Sequence, residues 1–462
     1  MNTLSRPKRL ESLDTLRGLT IAGMLLVNNP GSWSHIFWPL EHAAWNGWTF
    51  TDLVFPFFLF MVGVAMMYSF PKRLAEGASR SELFGHVTRR AASLMLLGYW
   101  GSTWTGVLWS NGVFGSNVET FNAGSVLFRI GFVALMAGAV VLLAGTPNSK
   151  RWWNIFGSGI VFFLAGLAMN SFSDPLFSRI LGIRIPGVLV RIAWCYFLAS
   201  GIYFLTPNPK DIIKWTVGLL VVYAVWMQLI PIPGFGFADL SRAFPTAETP
   251  LNELFSNWAY YIDYNVLGTH TWSARRLLDA SGNLIWSFDP EGFISTISAT
   301  CSVLLGILTG QWLTKKDPSD SEKLNGLFVA AGWLMGLGLV MSIWIPINKN
   351  LWTSSYTVFT AGMALMTLAI LFHAVDMKGF NKWVYPLVAY GRNAIFAFVA
   401  SGMMASAMGL IKVGDGTSLK AFLFHSMPGS PEFASFLFGI LFVSFWALIA
   451  VLLDRKKIYF KV

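Results

Sequence analysis

The chain has 462 residues, of which 55% are hydrophobic, 16% aromatic and only 12% charged, where soluble domains are about a quarter charged. Apolar runs of about 20 residues recur along the whole length, each long enough to cross a hydrocarbon core of about 30 Å, so the composition excludes an ordinary soluble enzyme and reads as a polytopic membrane protein. The formal charge of +10 does not point to nucleic acid, because the basic residues stand between apolar runs and form no dense patch with interleaved aromatics.

Breaks at Gly, Pro and charge clusters divide the apolar runs into an all-α pattern of about 12 transmembrane helices. The predicted spans are 14–33, 49–70, 86–107, 124–145, 154–172, 188–206, 213–231, 293–313, 325–346, 352–374, 389–412 and 433–452. The basic N-terminal stretch has no small-residue cleavage site behind it, so the first run is expected to be a retained helix rather than a signal peptide. Between the first two runs lies a short polar loop with His42, Asn46 and, just beyond, Asp52. The segment 124–172 is a plain apolar hairpin apart from Arg129, suited to a lipid or partner face. The one long loop, about 232–292, carries Asp263, Asp289 and Glu291 among many aromatics, too many for a disordered segment. A tight turn follows at IPINKNLWTSSY, with Asn348, Lys349 and Asn350.

An even number of spans puts both termini on one side, and 23 of the 33 lysines and arginines fall there, which predicts cytoplasmic termini. His42, the long loop and the Asn348–Asn350 turn then share the opposite side. Many of the 21 tryptophans stand near run ends, as an interfacial belt requires. Cys195 and Cys301 lie within predicted helices and form a disulfide only if those helices touch. No fixed-period repeat is visible, and residues 1–462 read as one transmembrane domain.

His42 has Glu41 and Asn46 beside it and Asp52 within reach to fix a tautomer, and an imidazole is the best-placed general base at neutral pH. The competing reading is a solvated loop histidine. Asn28 and Asn29 follow ten apolar positions, where an amide must find a partner: helix-packing glue or a donor to a developing oxyanion. Arg17 follows Asp14 at i+3 and pairs with it, or joins Arg89 and Arg90 in binding a phosphorylated ligand. Asp263, Asp289, Glu291, Asn348, Lys349 and Asn350 supply the groups that hold a cationic, hydroxyl-rich ligand such as an amino sugar. The histidines show no metal-ligand spacing, so no metal is expected, and the nucleotide-binding and hydrolase motifs of soluble enzymes are absent.

Several stretches resemble the lysosomal heparan-α-glucosaminide N-acetyltransferase family and its bacterial relatives. They are LDTLRG with VNN, HAAWNG with TDLVFPFFLF, PGVLVRIAWCYF, IPIPG, YYIDYNVLG, DPEGFISTISA, PINKNLWTSSY, GRNAIFAF and RKKIYFKV, in order along nearly the whole chain. The resemblance implies transfer of an acetyl group from cytoplasmic acetyl-CoA, as co-substrate, to the amine of a glucosamine-type sugar across the membrane. It maps the catalytic histidine onto His42, the first-helix asparagine onto Asn28 and a CoA-facing arginine onto Arg17. Arg392 in GRNAI departs from the lysosomal pattern and adds a candidate phosphate contact. The 124–172 hairpin reads as an insertion, and the large luminal N-terminal domain of the lysosomal enzyme has no counterpart, which leaves acceptor size open.

The expected protein is thus a multi-pass acetyltransferase of a bacterial inner membrane, with His42 as base or acetyl carrier, Asn28 or Asn46 steadying the oxyanion and Asp52 orienting the imidazole. A homodimer in the lipid bilayer is expected from the resemblance. The alternatives are a transporter for amino sugars or cell-wall fragments, and an O-acetyltransferase of an envelope glycan.

Overall fold

A computed structural model describes residues 10–109, 123–143, 149–169, 182–414 and 416–460. Thirteen long helices stand among them: α1 (Glu11–Asn28), α2 (Phe50–Ala75), α3 (Arg80–Trp109), α4 (Ala123–Leu143), α5 (Ser149–Met169), α6 (Val188–Leu205), α7 (Pro209–Leu229), α8 (Ser295–Leu313), α9 (Asp320–Met341), α10 (Ser354–Leu371), α11 (Asn381–Arg392), α12 (Ala394–Leu410) and α13 (Pro431–Arg455). Each of the twelve expected stretches contains described helix. By length and composition, nine of the described helices can cross a membrane, or ten if the bent pair α11–α12 is one span. α1 falls short because Glu11, Asp14 and Arg17 sit in its 18 residues, and α3 because Gly, Ser, Thr and Trp dilute its apolar half.

Local chemistry sets the helix starts. Thr49 and Asp52 form a reciprocal capping box at the head of α2. α1 has no cap from its own neighbours, and its first free amides, Glu11 and Ser12, donate instead to the Asp376 carboxylate at 3.0 and 3.1 Å. The expected span 389–412 is in fact two helices meeting at 76°. Asn393 stabilises the break, since its amide donates to the Ile458 carbonyl and its side-chain oxygen accepts from the Phe460 amide, both at 3.1 Å.

The centre of the bundle is α2, α8 and α10, whose apolar stretches are mostly buried, with α1 alongside. α2 and α8 approach backbone to backbone at Gly63 and Gly306: a Cβ on Gly63 would lie 2.0 Å from the Val303 carbonyl oxygen, and one on Gly306 2.0 Å from that of Phe60. The α4–α5 hairpin packs on itself through Phe128, Phe132, Phe163 and Leu167, and leaves most of its surface outward. Cys195 and Cys301 are buried and free.

The long loop is folded, as its aromatics implied. It carries a short helix, Trp258–Ile262, and an antiparallel hairpin pairing Arg276–Leu278 with Leu284–Ser287. Tyr260, Trp286, Phe288, Leu240 and Phe255 form a second apolar core that takes in Trp45 from the His42 loop and Leu351 from the turn before α10. Trp45 also donates its indole N–H to the Leu240 carbonyl at 2.9 Å. Three segments far apart in sequence are thereby fastened to one another.

Candidate functional site

The site is built on the first turn of α2. Asp52 is 1% exposed in its side chain, and its Oδ2 accepts from the amides of Ala43 and Thr49, both at 3.0 Å. Those bonds commit it as an ionised acceptor, so its Oδ1, 2.7 Å from His42 Nδ1, assigns the imidazole proton to Nδ1. The Nε2 lone pair then points away from Asp52. His42 is half exposed, with 49% of its side chain accessible. Tyr356 on α10 donates its hydroxyl to the Asp52 carbonyl and fixes the same turn from below.

The Asn348–Asn350 turn closes over the imidazole. Lys349 Nζ lies 3.2 Å from His42 Nε2 and 3.3 Å from Nδ1; since Nδ1 serves Asp52, the ammonium's bond is to Nε2. Burial pulls the Lys349 ammonium below its ordinary pKa, while Asp52 and Glu291 pull the other way. Asn348 is fully buried: its amide nitrogen donates to the Trp45 carbonyl at 3.1 Å and to Asn46 Oδ1 at 3.0 Å, and its oxygen accepts from the Leu351 amide. The turn is strained at Trp352, a buried non-glycine at φ 50°, which packs edge-on against Phe55 and lies beneath the Arg191 guanidinium.

Arg184 is the hub that the sequence did not disclose. Its guanidinium grips Asp289 through two bonds of 2.7 and 2.6 Å and also reaches Glu291. Burial would raise the Glu291 carboxyl, but Arg184, Arg191 and Lys349 outweigh it and hold it below its usual range. Asp263 is fully buried; one oxygen accepts the Asp289 amide, and burial lifts its carboxyl well above the ordinary value. Four of the six expected sugar contacts, Asp263, Asp289, Glu291 and Asn348, are therefore engaged within the fold. Lys349 and Asn350 remain partly accessible at the rim. The one signal for Arg184 was its place at the head of the polar stretch IRIPGVLVRIAWCYF, just before the predicted span 188–206 and expected on the same side as His42.

Beside this cluster a cavity of about 460 Å³ opens between α1, α3, α12 and the segment leading into α6. Asn28, Ser102, Arg184, Ser401 and Lys420 supply its polar wall, and Met24, Leu97 and Phe398 its apolar wall. The two first-helix asparagines separate here. Asn29 is buried and donates to the Leu25 carbonyl at 2.9 Å, whereas Asn28 is exposed to the cavity. Asn46 is held by Asn348.

The four expected phosphate-binding arginines fall into two groups. Arg17 bonds Asp14 at 3.1 Å and the Gly391 carbonyl at 3.3 Å, and Arg392 next door pairs with Asp454 at 3.0 Å. Arg89 and Arg90 are exposed on α3, Arg90 with its guanidinium 5.5 Å from the Tyr196 ring. Among the described residues no group of three His, Cys, Asp or Glu is arranged to hold a metal ion.

An ionisable Asp–His–Lys cluster on a rigid helix start, linked through Glu291 and Arg184 to the wall of a polar cavity that His42 itself does not line, in a bundle of apolar helices, defines a multi-pass membrane protein with ionisable groups built into its fold. The family model "Heparan-alpha-glucosaminide N-acetyltransferase, catalytic" matches residues 9–204, which include Asn28, His42 and Asp52. The heparan-alpha-glucosaminide N-acetyltransferases of Mus musculus and Homo sapiens are each 25% identical to the chain over 99% of its length. The chain is thus similar to those two enzymes along nearly its whole length, and spans 61% and 60% of theirs, less than two thirds of each.

Proposed function

We propose that this protein is a transmembrane acetyltransferase that moves an acetyl group from cytoplasmic acetyl-CoA to the amine of a glucosamine-type sugar on the opposite side of the membrane. The observation that carries this reading is the 2.7 Å pair of His42 with a buried, doubly amide-bonded Asp52. A solvated loop histidine would need no such partner. The similarity to the two N-acetyltransferases supports the class of reaction.

In this reading His42 Nε2 removes a proton from the acceptor ammonium, and the amine attacks the thioester carbonyl. Asp52 stabilises the imidazolium that forms. Asn28, facing the cavity, donates to the developing oxyanion; Asn46, whose Oδ1 accepts from Asn348 and whose N–H is not used in that bond, is the alternative donor. A relay through acetylated His42 uses the same residues in two steps. The cavity suits the narrow pantetheine arm of CoA, with Arg89 and Arg90 the cations left most open to its phosphates and Arg17 and Arg392 behind them. The sugar meets Asn350 at the rim, next to Lys349. The same proposal has about 12 spans in one domain, both termini in the cytoplasm, a bacterial inner membrane and a homodimer with the α4–α5 hairpin as an outward face.

The test is transfer of labelled acetyl from acetyl-CoA to glucosamine by the detergent-purified protein. N-acetylated product supports the proposal, and O-acetylated glycan would change only its acceptor. Binding of an amino sugar with no transfer to any acceptor would favour a transporter. Label retained on the protein without acceptor, and lost on adding it, distinguishes the relay from direct attack.

A further inference from the structure

The reaction proposed above leaves one proton unassigned: the departing CoA thiolate must receive one. We propose that Lys349 is the general acid that supplies it, so that His42 and Lys349 work as a base–acid pair rather than Lys349 serving as a sugar contact. This inference rests on the acetyltransferase reading.

The geometry brings three facts together. Lys349 Nζ stands 3.2 Å from His42 Nε2, the atom that acts as base, so any thioester presented to an amine at Nε2 is also presented to this ammonium. The backbone under Lys349 is fixed on both sides: Asn348 is buried with all its bonds made, and Trp352 is locked in a left-handed conformation beneath Arg191. The charges facing the ammonium are Asp52, Glu291 and Arg191, together with His42 itself. Glu291 in turn is bound by Arg184, whose side chain lines the cavity, so the ionic network runs from the cavity wall to His42.

The energetics favour the role. Burial lowers the ammonium's pKa below that of a free lysine, with Asp52 and Glu291 pulling the other way, so it gives up its proton more readily than an exposed lysine would. The steps balance. The acceptor ammonium gives its first proton to His42 Nε2, the C–N bond forms as the C–S bond breaks, and the sulfur takes a proton from Lys349. The neutral lysine then takes the proton held on His42 Nε2, and Nε2, free again, accepts the second proton from the new amide nitrogen. CoA leaves as the thiol, and the proton on His42 goes to water.

The test compares leaving groups. Wild type, Lys349→Met and Lys349→Arg are assayed for acetyl transfer to glucosamine from acetyl-CoA and from phenyl thioacetate, whose thiol is far more acidic and needs no protonation. With acetyl-CoA, Lys349→Met is expected to lose about a hundredfold or more in kcat. Lys349→Arg, which keeps the charge but is too weak an acid, should lose nearly as much. With the aryl thioester both should come within about tenfold of wild type. Equal losses on both thioesters, or full activity in Lys349→Arg, would overturn the acid role and leave Lys349 a positioning charge. If Lys349→Met does not fold, the comparison of wild type with Lys349→Arg decides it. Absence of transfer by wild type from either thioester would overturn the acetyltransferase reading, and the acid role with it.

Discussion

Asp52 does two jobs with one carboxylate. It caps α2 through the Thr49 amide and holds the His42 ring through Oδ1, so the helix start and the tautomer of the base are set together. Asp52→Asn keeps the shape of the cap but offers a side chain that can hold the wrong tautomer. The expected outcome is a fall in kcat of about a hundredfold or more with a normal elution profile, measured in the acetyl-transfer assay. The His42–Asp52 pair was legible in the sequence because both residues flank one short loop. Lys349 over the ring was not, since it arrives from 307 positions away and nothing local to either segment announces the meeting.

The elements of the bundle were legible because apolar length is a strong signal, and their breaks were less so. The 76° bend at Asn393 lies inside one apolar run, and only the tertiary bonds to Ile458 and Phe460 make it stable. The ion cluster around Arg184 shows the same limit: Asp289 and Glu291 looked like ligand-binding carboxylates until their partner, more than 100 positions away, came into contact. Removing that partner leaves a buried carboxylate uncompensated. Arg184→Ala is therefore expected to lower stability by about 3–5 kcal/mol, read as a drop in thermal midpoint in detergent. Gly306→Val would push a side chain into the Phe60 carbonyl, with no flexible neighbour to yield. It should lower the midpoint strongly, where an exposed glycine such as Gly332, with open space around it, should tolerate alanine.

At the scale of the whole molecule the proposed reaction needs His42 and the donor's phosphates on opposite faces. Among the 33 basic residues, the excess on the side of the termini predicts which face is which. Both native cysteines are buried, so introduced ones report cleanly. In intact cells a membrane-impermeant maleimide should label Ser281→Cys in the long folded loop and spare Lys316→Cys between α8 and α9. The reverse pattern would invert the orientation and put His42 on the side of the CoA pool. The α4–α5 hairpin, mostly outward-facing, is the part of the molecule whose role composition alone could not assign.

The most direct measurement is transfer of labelled acetyl from acetyl-CoA to glucosamine by purified wild type and by His42→Ala of equal elution behaviour. The account predicts N-acetylated sugar from wild type and a loss of about a thousandfold in the variant, within the 10²–10⁴-fold range a single base contributes. Transfer by the variant at the wild-type rate would contradict the role of His42. No transfer by wild type to any amino sugar would contradict the reaction itself.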